Sequence, residues 1–233
     1  MKYMNGRMLR SVVCAAVVLS GTFAAIAPQA VSAATAGRQN PESCVTSGVN
    51  SCTKTTGSVS CTVGSFGTFT LVLKTKATYV NTIAHGSSES AKAVAKVTIP
   101  SSLNTLEWAA GYRSYKGSVS QALIDNNDAT PSPYNAASNN TITIAPTNLP
   151  NGGSTSSTLK FTITNTGPFT FTSAGTDKVV AGDSGSNSFA TATVDLYKKA
   201  NEGGTATPIT ATCTTPYIGS VGTPFVLATI TVT

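Results

Sequence analysis

Charge is scarce in this chain. Only 10% of its 233 residues are Asp, Glu, Lys or Arg, and only 7% are aromatic. So low a charge fraction excludes a disordered, self-repelling tail protein. There is one histidine, His85, and no Cys-x-x-Cys spacing, so neither a zinc cluster nor any other metal or cofactor site is expected. No apolar stretch beyond the N-terminus is long enough for a membrane anchor, so no integral segment is expected after it. The lysines are dispersed along the sequence with few aromatic neighbours. This spacing lacks the dense basic run expected of a nucleic-acid partner, and predicts solvated strand faces instead.

What is present begins with an export signal. Lys2, Arg7 and Arg10 form a positive n-region, Val12 to Ile26 an apolar core, and Val31-Ser32-Ala33 supply the small residues of a cleavage site. Cleavage after Ala33 would remove the 1–33 signal peptide and leave 200 residues with a net charge of +3. Half of the apparent basicity therefore belongs to the signal. The expected destination is secretion, with possible retention at the cell wall or cell surface.

Four cysteines survive this cut: Cys44, Cys52, Cys61 and Cys213. An even number in an exported chain reads as two disulfides, for which three pairings are open. The favoured one is a local Cys44–Cys52 clip with Cys61–Cys213 joining the first core strand to one near the end. Closing so long a loop would stabilise by roughly 4–5 kcal/mol in the chain-entropy model.

Residues 34–60 are polar and rich in Gly, Ser and Thr, and are expected to form a loose, disulfide-pinned lead-in. The domain proper is expected over 61–233. From Phe66 onward, apolar side chains alternate with polar ones. Phe69, Leu71 and Leu73 share a face, as do Ala91 to Ile99 at odd positions, and Leu159, Phe161 and Ile163. Phe169 and Phe171, then Ala190, Ala192, Val194 and Leu196, then Val226, Ala228, Ile230 and Val232 continue the period of two. Asn151-Gly152-Gly153, Thr166-Gly167-Pro168 and Glu202-Gly203-Gly204 mark turns between them. These signals predict an all-β antiparallel sandwich.

Two segments differ. Leu103, Leu106 and Ala110 recur at helical spacing after a Ser101-Ser102 cap and before Gly111, predicting one short bridging helix with Trp108 at its edge. Residues 125–140 are polar, hold Pro131 and Pro133, and predict a long exposed loop.

The order of Cys61, an alternating strand, the Val-Thr-Ile-Pro stop at 97–100, a helix ending at Gly111, Gly117, and a second alternating block reaching Thr212-Cys213 and Pro216 resembles a family. It is similar to exported actinobacterial β-sandwich proteins grouped as a domain of unknown function, over roughly residues 58–233. The resemblance implies an immunoglobulin-like fold, the Cys61–Cys213 link and a surface location. It implies no chemistry and transfers no functional residues.

The sharpest chemical string is Gly182-Asp183-Ser184-Gly185, similar to the nucleophile loop of trypsin-like serine proteases. His85, then Asp125 or Asp128, then Ser184 follow the chain order of that triad. Gly86 stands where the family has Cys, Ser186 where it has a second Gly, and the spacing is short for two barrels. Turns use Asp, Ser and Gly in any case, so two turns are the expected reading. Glu107, Asp125, Asp128 and Asp177 could supply a glycosidase pair only by meeting in space. Asp125-Asn126-Asn127-Asp128 lacks the spaced glycine and final Glu of a calcium loop. Trp108, Tyr112, Tyr115 and Tyr134 are the candidates for a sugar-stacking platform, against a structural role for the tyrosines.

The function expected is non-catalytic: a secreted or envelope protein that binds a cell-envelope polymer or surface protein, or self-associates. The alternatives are a His85/Asp125/Ser184 hydrolase and an oligomeric β pore built from the Thr-rich strands. The final alternating run, Phe225 to Thr233, offers no sorting tail, so surface retention is expected to be non-covalent.

Overall fold

A computed structural model of the chain describes residues 42–43, 50–125, 129–130, 133–138, 140–164, 167–183, 186, 188–214 and 225–233. Its strands are β1 (Glu42–Ser43), β2 (Asn50–Val63), β3 (Gly67–Val80), β4 (Thr82–Ile83), β5 (Ser88–Glu89) and β6 (Lys92–Ile99). Helix α1 (Ser101–Ala109) precedes β7 (Ser114–Asp125), β8 (Ala129–Thr130), β9 (Tyr134–Asn135) and β10 (Ile142–Asn148). A 3-10 turn at Asn151–Gly153 then leads to β11 (Ser157–Ile163), β12 (Phe169–Phe171), β13 (Gly175–Ala181), β14 (Ser188–Tyr197), β15 (Ala206–Thr214) and β16 (Phe225–Val232).

The fold is all-β and sandwich-like, as its alternating patterns predict. Leu71, Leu73, Ala77 and Tyr79 of β3 are buried, while Lys74 and Lys76 between them are exposed. The β2–β3 hairpin is its axis, paired without a break from Asn50↔Val80 to Val63↔Gly67. Near its turn the hairpin belongs to a sheet running β11-β6-β3-β2-β15-β14-β7, with β10 also paired to β7. That sheet curls until β10 and β11 lie side by side with no ladder between them, so it is not closed into a barrel. At its far end the hairpin is covered by β16. The Thr55 hydroxyl donates to the Val226 carbonyl at 2.6 Å, and β16 is paired in turn to β13.

β7 is where the two layers part. Its first residues pair with β10 and β14, and Ile124 and Asp125 pair with β13. Gly117 lies at the closest approach of β7 and β14: a Cβ there would sit 2.1 Å from the Thr193 carbonyl oxygen. A small sheet, β5-β12-β8, shares no ladder with these strands, but its Phe169 and Phe171 pack into the same core.

Cys61 and Cys213 are direct register partners on β2 and β15, and they are disulfide-bonded as favoured from the sequence. The bond ties neighbouring strands of one sheet, whereas the hallmark immunoglobulin disulfide joins two sheets. Cys52 is buried and also disulfide-bonded; Cys44 lies outside the described residues.

Three expectations need correction. The segment 50–60 is not a loose lead-in but most of β2, with Thr55 and Val59 buried. Its inward positions are Thr55, Gly57 and Val59, so its alternation is too weakly apolar to read. The helix is found where expected, but Pro100 precedes it and no serine side chain caps it. Residues 125–140 are not one exposed loop. β9 pairs with β7, Tyr134 and Ala136 are buried, and the Asn135 side-chain oxygen accepts from the backbone N–H of Ala122 and Ala137.

Candidate functional site

His85 sits in the turn between β4 and β5, exposed to solvent. Its backbone N–H donates to the Thr233 carbonyl at 2.7 Å, and its ring Nε2 donates to the Thr172 carbonyl at 2.8 Å. A triad histidine must accept the serine proton on Nε2, and here that nitrogen straps the turn to the end of β12. Asp125 is buried at the end of β7, opposite Val180 of β13. Ser184 lies outside the described residues, as does Asp128. The neighbouring Asp183 belongs to a turn: its N–H donates to the Ser188 carbonyl and its carboxylate accepts from the Ser186 hydroxyl.

The four aromatic candidates are not gathered on one exposed surface. Trp108 is half-buried on α1, with the Arg113 guanidinium 3.9 Å over its ring. Arg113 also donates to the Trp108 and Tyr112 carbonyls, so it is fixed there. Tyr112 meets Phe66 edge to face at 6.4 Å. Tyr115 is buried at the start of β7, whereas Tyr134 is buried against Phe169 beside the other end of that strand. The acids are equally dispersed: Glu107 lies on α1, Asp125 on β7 and Asp177 on β13. Among the described residues no cluster of His, Cys, Asp and Glu could hold a metal ion. No described helix is long and apolar enough to cross a membrane.

What sequence reasoning missed is a surface. Lys74 of β3 is the register partner of Lys96 of β6, and Lys96 is the partner of Lys160 of β11. Lys76 is paired with Lys54 of β2, and Lys92 lies on the same outward face of β6, opposite Thr78. All six are exposed, and the four strands that carry them contain no acid. The lysines are dispersed along the sequence and gathered by the topology, because antiparallel pairing brings residues 54, 74, 96 and 160 within four adjacent strands. The lysines do lie on a solvated strand face, as expected, but spacing along the sequence did not show that they share one.

Like charges directly opposite one another across a ladder are destabilising. The only ion pair among the described residues, Lys116–Glu202 at 2.6 Å, lies elsewhere. Around the lysines the outward positions include Thr56, Ser58, Val72, Val94, Thr98, Thr158 and Thr162, with no aromatic ring among them. The outward face of these four strands is therefore cationic and rich in threonine.

No family model matches the chain, and no match is found among curated proteins or solved structures.

Proposed function

We propose that this is an exported, non-catalytic β-sandwich protein that binds an anionic polymer of the cell envelope through the lysine face of β2, β3, β6 and β11. The observation carrying this reading is the in-register row Lys74–Lys96–Lys160, flanked by Lys54, Lys76 and Lys92. Adjacent strands lie about 4.8 Å apart, so the row sets the backbones of three lysines within about 10 Å, and their flexible side chains can engage successive anionic groups of one chain.

A lysine on an exposed edge strand is a common device against edge-to-edge aggregation. That need is met by Lys160 on β11, and does not explain charges reaching inward to β3 and β2. Single-stranded nucleic acid is a poorer fit, since sites for it combine charge with aromatic stacking platforms. The signal-like N-terminus supports an extracytoplasmic setting, and the resemblance to exported actinobacterial sandwich proteins supports an immunoglobulin-like relationship and a surface location.

The test is sedimentation or calorimetric binding of the purified chain to poly(glycerol phosphate), with neutral dextran and duplex DNA as comparisons. Salt-sensitive binding to the phosphate polymer, lost in Lys74→Glu/Lys96→Glu/Lys160→Glu, is the expected result. No binding, or binding indifferent to the triple substitution, would sink the reading; tighter binding to DNA would reassign the surface to nucleic acid.

A further inference from the structure

The inner face of the curled sheet does not pack solid. It encloses an apolar cavity of about 150 Å³, walled by Leu73, Val97, Ile144, Leu159 and their neighbours on eight strands. Helix α1 lies across one end, contributing Leu103 and Glu107, with Tyr115 beside them. Register places Ser157↔Ile99 and Leu196↔Tyr115 at this end, and Ile163↔Ala93 and Ala190↔Ala122 at the other. At the helix end Ile99, Leu103, Tyr115 and Leu196 are all buried. At the opposite end Phe161, Ile163 and Phe189 point onto the cavity yet remain half-exposed. The cavity thus has a closed, deep end and a mouth.

Glu107 stands at the deep end. It is 4% exposed, and its Oε2 has no hydrogen-bond partner among the described residues. The polar groups around it are occupied with one another: the Asn104 amide donates to the Thr155 carbonyl and the Ser157 hydroxyl, and the Tyr115 hydroxyl also bonds Ser157. Among the described residues no lysine, arginine or histidine lines the cavity. A carboxyl in the last turn of a helix is doubly disfavoured there, by burial and by the negative end of the helix dipole. A leucine at this position would cost the fold less. Burial already pushes the Glu107 carboxyl up to about 7.

We propose that this cavity binds a small apolar molecule bearing a single hydrogen-bond-donor head, an alcohol or a primary amine, whose donor pairs with Glu107 Oε2. The site is separate from the lysine face, which lies on the other side of the same strands. A dry apolar cavity of this volume holds a body of about benzene size, so a six-carbon chain fits. An anionic head is disfavoured: its charge would be buried beside the Glu107 carboxyl with no lining cation to neutralise it.

The experiment is methyl NMR titration of the purified chain with 1-hexanol, hexylamine and sodium hexanoate in parallel. Saturable shifts of lining methyls such as those of Leu73 and Leu159 are expected with the alcohol and the amine, with hexanoate at least tenfold weaker. Glu107→Leu should fold, retain the apolar wall and lose that discrimination. Glu107→Gln keeps a side-chain oxygen acceptor and should still bind the alcohol. Equal affinity for all three ligands, discrimination that survives in Glu107→Leu, or no saturable shift with any ligand would each overturn the proposal.

Discussion

Lys74 and Lys96 are directly opposed on neighbouring strands, with Lys160 continuing the row and no carboxylate within the four strands that carry them. A sheet selected only for stability would alternate the sign of charge across such a row. Lys96→Glu, at its centre, is therefore expected to raise stability by roughly 1 kcal/mol through two opposite-charge pairs. It should weaken binding to a phosphate polymer at the same time. Urea midpoints and polymer titration of one variant check both signs, and a variant that loses stability contradicts the electrostatic account.

The carboxyl of Glu107 makes stability fall with rising pH. Its ordinary value of 4.5 is raised to about 7 by burial. Below pH 4.5 the carboxyl is protonated whether the chain is folded or not, and it adds no penalty. Between those values the unfolded chain has released the proton while the folded chain keeps it, so stability declines by up to about 1.4 kcal/mol per pH unit. The loss levels off above pH 7 at about 3 kcal/mol. Urea denaturation at pH 4.5, 6 and 8 should show this slope in the wild type and a flatter one in Glu107→Gln.

Gly153 holds the helix against the cavity. It has a φ of 66°, and a Cβ added there would lie 2.4 Å from the Asn104 carbonyl oxygen of α1. Gly152 has a similar φ of 68° but nothing within 4 Å. Gly152→Ala is expected to cost only the left-handed backbone penalty, about 1 kcal/mol. Gly153→Ala should cost roughly 2 kcal/mol or more, because the helix must also move. Equal losses from the two substitutions would show that the turn does not brace α1.

Reduction of Cys61–Cys213, which links residues 152 apart in sequence, should remove about 5 kcal/mol in the chain-entropy model. Comparing thermal unfolding of Cys61→Ala/Cys213→Ala with the oxidised chain measures this. A change under about 1 kcal/mol would mean that the unfolded chain is already held together by other means.

A fluorophosphonate probe reacts with serines activated by a neighbouring base. With the His85 Nε2 proton committed to the Thr172 carbonyl, no labelling of the purified chain is expected. Labelling that disappears in Ser184→Ala would make the protein a hydrolase.

Much of the strand pattern was legible because Thr and Lys alternate with Leu, Val, Ala and Phe at a period of two. β3, β6, β11 and β14 show this plainly. β2 was legible only from Cys61 onward, since Thr55 and Gly57 occupy its inward positions. The helix was placed correctly, but its buried face was not: Leu103, Asn104 and Glu107 point inward, while Leu106 is half-buried and Ala110 exposed. Reading apolar residues alone selects Leu103, Leu106 and Ala110. The spacing of Leu103 and Glu107, one helical turn apart, was the available signal that an acid shares the core-facing side.

The amino-acid sequence determined the all-β class, the helix after Pro100 and the oxidised cysteines, because each follows from local periodicity, a stop signal or residue type. It carried no sign of the lysine row. Residues 74, 96 and 160 become neighbours only through strand pairing, and register is settled by which faces are buried together, not by any local run of charge. The apolar cavity and the carboxyl at its deep end were likewise decided by tertiary structure. A sheet that curls under a helix leaves a space whose size depends on every wall at once, and Glu107 meets it only because α1 packs across that end.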